Sequence, residues 1–586
     1  VDNGGTWEHV PLGLNGAEDD GKSDVIDYAP TIVKHRGKYY LVGSMGLLHA
    51  GDSPTGPWTK LGKMKIPSGE ADGVAIAHFW DPMLFSDDDG RLYLYWGCTA
   101  TQGIWGVELD PENPLEYTGE AKHLIAFEPE ECPWEKMYGW DFDNSWIEGP
   151  WMVKIDGRYH LTYSAGGADP RYAISSATGE SALGPFEKQK NNPVYFSREG
   201  VVTGTGHGSI AKGPDGEYWV AACVMVCRNH MFERMVSFDR IGYDKEKREF
   251  VPTKATAVPQ YLPQTGRRGG AYAPLSGRTQ KGRGAISDGE LKSSWTARTL
   301  PATADIVFGK TKTFCAFRLV WRDVGLDEAR GVAKGPYRYR VWARSGGEWT
   351  VVSDNSANDR DMFVDYREIG PVEADAVRLE ILGGPEGISP AVAEFTPFGT
   401  ISVACIGDSI TEGYLLERKD LFSYPAQLQT MLGDAYEVRN FGNPGKGVTM
   451  YPYIDTSEYA AAKEFRPDVV ICNLGANDWI GLDEARYADE YLKILEPFKG
   501  ARIIIWTPLA PITPKHGCYA SPTIAKVDEL NREVALRAGA ETIDMFSPLA
   551  GREDEAIMDC DGVHPNEKGC EIIAGACFEK LTGFAH

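Results

Sequence analysis

Four times in the first part of the chain an apolar stretch meets a glycine turn and leaves as an aromatic strand. The turns read Gly37-Lys38-Tyr39-Tyr40-Leu41, Gly90-Arg91-Leu92-Tyr93-Leu94-Tyr95, Gly157-Arg158-Tyr159-His160-Leu161 and Gly216-Glu217-Tyr218-Trp219-Val220. Thr31-Ile32-Val33 precedes the first and Met83-Leu84-Phe85 the second, so each unit predicts a hairpin. A second echo places Gly56-Pro57-Trp58 after the first hairpin and Gly184-Pro185-Phe186 after the third. Antiparallel sheets recurring at roughly 50–70 residues predict propeller blades. A fifth blade is expected to close the ring, drawn from the N-terminus and the Met235–Phe250 region.

The texture then changes twice. From about Val251 to Gly284 the chain is rich in Pro, Gly, Arg and Gln and reads as a surface connector. Short strands return up to Phe398, among them Tyr337–Trp342 and Ala376–Ile381, and predict a β-sandwich. After Gly399, apolar strands (Ser402–Ile406, Val469–Asn473, Ile503–Trp506) alternate with helical stretches such as Ser521–Ala538. That alternation predicts a parallel sheet in an α/β domain. The expected division is 1–270, 285–398 and 400–586.

Composition adds limits. A net charge of −24 over 586 residues argues against nucleic acid and anionic membrane surfaces as partners. No apolar run is long enough to span a bilayer. The 16 Trp and 27 Tyr fit either sugar binding or a β-rich core. The 11 Cys are odd in number and lack a CxxC pair; Cys405 and Cys472 lie in apolar strands and read as buried thiols, not a disulfide framework.

Chemistry enters at the strand ends. Val403-Ala404-Cys405-Ile406 runs into Gly407-Asp408-Ser409-Ile410-Thr411-Glu412, which sets a serine where doubly wound sheets place their sites. Asp561-Gly562-Val563-His564-Pro565 can set a carboxylate against one imidazole nitrogen and leave the other free to deprotonate Ser409. Between them lie Asn440-Phe441-Gly442-Asn443-Pro444-Gly445 and Gly475-Ala476-Asn477-Asp478. Taken singly, each is an ordinary turn. The four blocks in this order resemble the SGNH (GDSL-like) hydrolases over roughly 180 residues. The resemblance implies a three-layer α/β/α fold, Ser409 as nucleophile, His564 as base and Asp561 as its orienter. It also implies an oxyanion hole made by Ser409 N–H, Gly445 N–H and the Asn477 side chain. No cofactor is required.

The propeller carries a second constellation. Asp27-Tyr28-Ala29-Pro30, Trp80-Asp81-Pro82 and Trp146-Ile147-Glu148-Gly149-Pro150 open the first three hairpins, and Thr205-Gly206-His207-Gly208-Ser209 the fourth. Innermost strands begin at a propeller's axis, where paired carboxylates suit inverting glycoside hydrolysis. Over about 250 residues this resembles glycoside hydrolase family 43 and its five-bladed propellers. The resemblance implies Glu148 as general acid, Asp81 as its pKa modulator, His207 beneath the site with room for a structural cation nearby, and Trp80 and Trp146 as sugar walls. Ala29 stands where the family's base Asp is expected; Asp27, or Asp24, is the remaining candidate. A binding-only propeller is the alternative.

In the middle, Ile286-Ser287-Asp288-Gly289, Ser294-Trp295, Tyr337–Trp342, Trp349 and Ala393-Glu394-Phe395 resemble a discoidin-type sandwich, read as a spacer. The combined expectation is a secreted, periplasmic or cell-surface enzyme of plant polysaccharides. It would join a carbohydrate acetylesterase to an α-L-arabinofuranosidase or β-xylosidase. The rivals are an acetylesterase whose propeller and sandwich only bind carbohydrate, and a lipid esterase.

Overall fold

The computed structural model describes residues 28–44, 46–99, 101–136, 146–167, 171–197, 200–225, 234–261, 270–324, 335–360, 362, 364–507 and 522–582. Its first part holds four sheets in sequence order, antiparallel except where Thr253–Lys254 adds in parallel to Tyr195–Phe196. They run Thr31–His35 to Thr59–Lys63, Met83–Ser86 to Lys122–Ile125, Ile147–Ile155 to Tyr195–Phe196, and Thr203–Lys212 to Glu249–Val251.

The recurring glycines have a backbone reason. Gly37, Gly90, Gly157 and Gly216 have φ of 85°, 85°, 80° and 83°. In the first and third turns the preceding residue is left-handed too, Arg36 at 47° and Asp156 at 47°. Two consecutive positive φ values match the right-handed twist of a tight hairpin, and glycine reaches them without strain.

First strands of successive sheets lie side by side. Thr31 Oγ1 donates to Pro82 O at 2.9 Å, His35 Nδ1 meets Ser86 Oγ at 2.8 Å, and Trp151 Nε1 donates to Ile210 O at 2.9 Å. This is the arrangement of propeller blades around an axis. The expected fifth blade does not draw on Met235–Phe250. Arg234–Asp244 pairs along its length with Tyr218–Met225, and Glu249–Val251 adds beside it, so the region completes the fourth sheet. The strand joins its nearest neighbour in sequence, as short connections favour. The N-terminal share of that expectation, residues 1–27, lies outside the described residues.

The middle sheet is built on two long antiparallel strands, Ala302–Val324 and Val364–Gly383. Register shifts between Val307 and Lys312 and between Phe314 and Ala316 bend the pair, which lets one sheet close over a core of Phe317, Leu319, Trp321, Tyr339, Val341, Leu379, Ile381 and Phe395.

The last part is a five-stranded parallel sheet. Tyr436–Gly442, Ile401–Gly407, Val469–Asn473, Arg502–Trp506 and Glu541–Ile543 lie in that spatial order. Its two central strands are almost wholly buried, as parallel strands covered on both faces must be. The helices Tyr424–Leu432, Ser457–Phe465, Glu484–Leu495, Pro522–Ala538 and Glu567–Thr582 supply the covering layers. One residue, Thr400, separates the sandwich strand Ser389–Gly399 from the central strand Ile401–Gly407. Thr400 N donates to Thr313 O at 3.3 Å, and Lys310 and Lys312 reach Asp468 at 3.2 and 3.3 Å across the joint.

Candidate active sites

Ile401–Gly407 delivers the chain to a sharp turn at the carboxyl end of the parallel sheet. A Cβ on Gly407 would come within 2.2 Å of Thr411 Oγ1 and 2.6 Å of Asn473 O, so only glycine fits. Asp408 then caps the next turn by accepting from Ile410 N at 3.0 Å, and Ser409 opens the short helix Ser409–Glu412. His564 Nε2 lies 2.8 Å from Ser409 Oγ, and His564 Nδ1 lies 2.6 Å from Asp561 Oδ2. Asp561 Oδ1 accepts from Val563 N at 2.9 Å and His564 N at 3.1 Å, so one carboxylate orients the ring and folds the loop that carries it. Burial pushes Asp561 up, but the hydrogen bonds from His564 and from the two backbone N–H groups outweigh it and hold the carboxyl below its ordinary range. A hydroxyl, an imidazole and a carboxylate in this chain of contacts can activate the hydroxyl for attack on an acyl carbon.

Around this line, Asn477 Nδ2 donates to Lys446 O at 2.9 Å, which ties it to the turn holding Gly445. Gly445 has φ of 72°, with nothing within 4 Å of an added Cβ; its backbone conformation, not crowding, is what glycine answers there. Tyr414 N donates to Ser409 O at 3.0 Å, and the Tyr414 ring lies 5.0 Å from the His564 ring.

The propeller axis gathers a different group. Ala29 and Asp81, just before the first strands of their sheets, and Gly149 and His207, within the first halves of theirs, have φ of 46°, 50°, 59° and 44°. A left-handed residue therefore recurs in each of the four described sheets. Glu148 Oε1 accepts from Tyr172 O–H, and Glu148 Oε2 accepts from Cys98 Sγ at 3.0 Å. Asp81 Oδ2 accepts from Gly149 N at 3.3 Å and stands 3.8 Å from His207 Nδ1. Burial pushes Asp81 up to about 6; His207 pulls against this and Glu148 adds to it. The Gly-His-Gly motif is steric: a Cβ on Gly206 would lie 2.3 Å from the Tyr172 ring, and one on Gly208 would lie 2.6 Å from Ala221 O. Trp80 and Trp146 are 39 % and 43 % exposed beside this group in sequence, and Trp80 packs against Tyr28 at 5.8 Å. Two carboxyl groups in unlike settings, one deeply buried and one hydrogen-bonded at the axis, suit acid–base work on a glycosidic bond.

Residues 6–247 match the family described as Glycosyl hydrolases family 43, and residues 405–572 the GDSL-like Lipase/Acylhydrolase family. The chain thus joins a stretch of the family 43 glycosyl hydrolase type to one of the GDSL-like acylhydrolase type. It is 32 % identical over 207 residues to an acetylxylan esterase of Xylanibacter ruminicola, a match covering 30 % of this chain and 43 % of that one. It is 29 % identical over 211 residues to a xylosidase/arabinosidase of Butyrivibrio fibrisolvens, covering 33 % and 37 %. A beta-xylosidase of Xylanibacter ruminicola is 30 % identical over 242 residues, covering 33 % and 67 %. The first two matches thus span less than half of those relatives' length.

In the acylhydrolase part, the structure brings together Ser409, His564 and Asp561 and sets Asn477 against the Gly445 turn. In the family 43 part it brings together Asp81, Glu148 and His207. Asp27 and Asp24 lie outside the described residues, while Ala29 occupies the seat that Asp81 takes in the next blade. Three residues escaped the sequence reading. Cys98 holds Glu148 from the neighbouring strand, and Tyr172 from the residue just before Ala173–Gly179. Asp478 is fully buried and accepts from Val448 N, Thr449 N and Thr449 Oγ1, each at 2.7 Å, and from Met450 N at 3.0 Å. Only Asp478 carried a signal, as an acidic residue beside a motif residue at a strand end.

Proposed function

We propose that the chain deacetylates a plant cell-wall polysaccharide with its acylhydrolase part and removes a terminal arabinofuranose or xylose with its propeller. The observation that carries the first half is His564 standing between Ser409 and Asp561 at 2.8 and 2.6 Å. In this mechanism Ser409 Oγ attacks the acetyl carbonyl as its proton passes to His564 Nε2. The oxyanion is met by the Ser409 and Gly445 N–H groups and the Asn477 amide. His564 returns the proton to the sugar oxygen as the C–O bond breaks. Water, activated by the same imidazole, then frees acetate and restores Ser409.

In the propeller Glu148 donates a proton to the leaving glycosidic oxygen, and Asp81, its neighbour, adjusts the proton affinity of that acid. Trp80 and Trp146 wall the sugar. The attacking water needs a base, for which Asp27 is the candidate. The acetylxylan esterase and xylosidase relatives favour xylan-type substrates. The two halves support one another chemically, because an acetyl group on a sugar hinders its entry into a close-fitting pocket. A second reading has the propeller bind sugar without cleaving it, and Ala29 in the expected base seat favours it.

The test is incubation with acetylated xylan, with acetate and free pentose both measured. Ser409→Ala is expected to stop acetate release and spare pentose release from a deacetylated substrate, and Glu148→Gln to do the reverse. Wild-type protein that releases acetate but no sugar from any aryl pentoside or oligosaccharide selects the binding-only propeller.

A further inference from the structure

Opposite Glu148, on the adjoining strand, stands Cys98. The bridge between Cys98–Thr99 and the strand Ile147–Ile155 pairs Cys98 directly with Glu148, so the two side chains leave the sheet on the same side. The Sγ of Cys98 is 3.0 Å from Glu148 Oε2. Asp81, just before the first strand of the second sheet, completes the group: one ligand atom from each of Asp81, Cys98 and Glu148 lies within 4.8 Å of the other two. His207 Nδ1 is next, 3.8 Å from Asp81 Oδ2. Asp81 is 7 % exposed and Cys98 and Glu148 are half-buried beside it, so two carboxyl groups and a thiol are partly withdrawn from water.

We propose that Asp81, Cys98 and Glu148 form a binding site for a thiophilic divalent cation of the zinc or cadmium kind, and that its occupation switches the propeller off. Sulfur is what sets the class. Carboxylates and waters suit magnesium and calcium, whereas a thiolate beside carboxylates selects the softer ions. With metal–sulfur near 2.3 Å and metal–oxygen near 2.1 Å, a tetrahedral ion holds sulfur and oxygen about 3.5 Å apart. The Cys98–Glu148 pair opens by about 0.5 Å to reach that spacing, a side-chain adjustment. On binding, the Cys98 S–H bond breaks, its proton leaves to water, and the thiolate pair goes to the metal. Glu148 exchanges its hydrogen bond from Cys98 for a metal bond. An acid held by the metal carries no proton for a leaving group. The site differs from a cation seated beneath the axis near His207, because it depends on sulfur. Binding stands independently of the glycosidase reading; inhibition rests on it.

The experiment titrates the full-length reduced protein with Cd²⁺ and follows the ultraviolet cadmium–thiolate band. Wild type is expected to show a band saturating at one equivalent that Cys98→Ser lacks. Glu148→Gln and Asp81→Asn are each expected to bind at least about tenfold more weakly, since even outer-shell partners of a metal contribute that much. An unchanged band in Cys98→Ser overturns the proposal, because it assigns the signal to another thiol such as the exposed Cys560. Equal affinity in wild type, Glu148→Gln and Asp81→Asn also overturns it, because a bare thiol is then sufficient. Circular dichroism and thermal melting of each variant report folding of the propeller, and Cys98→Ala replaces Cys98→Ser if the fold is lost. In parallel, Zn²⁺ is expected to abolish pentoside cleavage by the metal-free protein. Absence of pentoside cleavage under chelation refutes the glycosidase reading and leaves the cadmium titration to decide the site.

Discussion

Replacing Asp478 with asparagine exchanges one carboxylate oxygen for an NH₂ group at nearly constant shape. Oδ1 accepts from Thr449 N, Thr449 Oγ1 and Met450 N, and Oδ2 from Val448 N alone among the described residues. The amide therefore keeps its oxygen at the three-donor end and turns its NH₂ onto the Val448 N–H, donor against donor. Val448 is buried, so that N–H finds no water. A lost hydrogen bond to a charged group is worth about 1.5–3 kcal/mol, and a buried orphan donor costs about 1–3 kcal/mol. The change falls on residues 448–450, which continue from the Gly445 turn, and Gly447 leaves no slack: a Cβ there would lie 2.4 Å from Asp478 Oδ2. A displaced turn misaims the Gly445 N–H. Loss of one oxyanion donor lowers kcat by about 10²–10³-fold, and that is the expected result for aryl acetate hydrolysis by Asp478→Asn. The KM is expected to change little. A variant that melts earlier but keeps kcat within about twofold of wild type would falsify the reasoning, because Asp478 would then hold the fold and not the site.

Three further outcomes are expected. Burial pushes Asp408 up to about 7 from 3.8. With the folded value the higher one, the unfolded chain ionises first, so stability is complete below 3.8, declines as pH rises towards 7 and then levels. Asp408→Asn should therefore melt above wild type near pH 8 and lose that advantage near pH 4, on the order of a few kcal/mol; a gap independent of pH refutes this. Ala29→Asp places a carboxylate in the seat equivalent to Asp81, at a left-handed φ that Asp tolerates better than Ala. Pentoside cleavage should rise about tenfold or more, as for a restored general base, without loss of thermal stability; no gain shows that the seat is not where water is activated. Tyr414→Ala removes the ring over His564 and should lower kcat/KM for acetylated oligosaccharides severalfold, with Tyr414→Phe near wild type; equal kinetics in all three assign the ring no part in the site.

The hairpin glycines and the Ser409–His564 pair were legible because each is fixed locally. A two-residue turn needs positive φ wherever it occurs, and a parallel sheet presents its strand ends at one edge. The αL seats at Ala29, Asp81 and His207 were not legible, since non-glycine residues give no compositional sign of that backbone. The partners of Glu148 were hidden for another reason. Cys98 lies about 50 residues before it and Tyr172 in the segment leading into a later strand, and both meet it only when that sheet assembles. The Met235–Phe250 region misled because a strand-like run states its propensity but not its neighbour, and here the neighbour was the strand just before it.

Under the proposed function, Thr400 also decides how the hydrolase part would search a solid substrate. A flexible tether of several residues lets a catalytic head sweep a volume around an anchored body. Here a sandwich strand passes into the central strand of the hydrolase through one residue, with Lys310 and Lys312 bound across the seam. The head cannot sweep. Its reach along a polymer surface is set by rotation and release of the sandwich and hydrolase together, so acetate release from insoluble xylan should follow the residence time of the whole molecule. Lengthening the joint with a glycine–serine insert would uncouple the two.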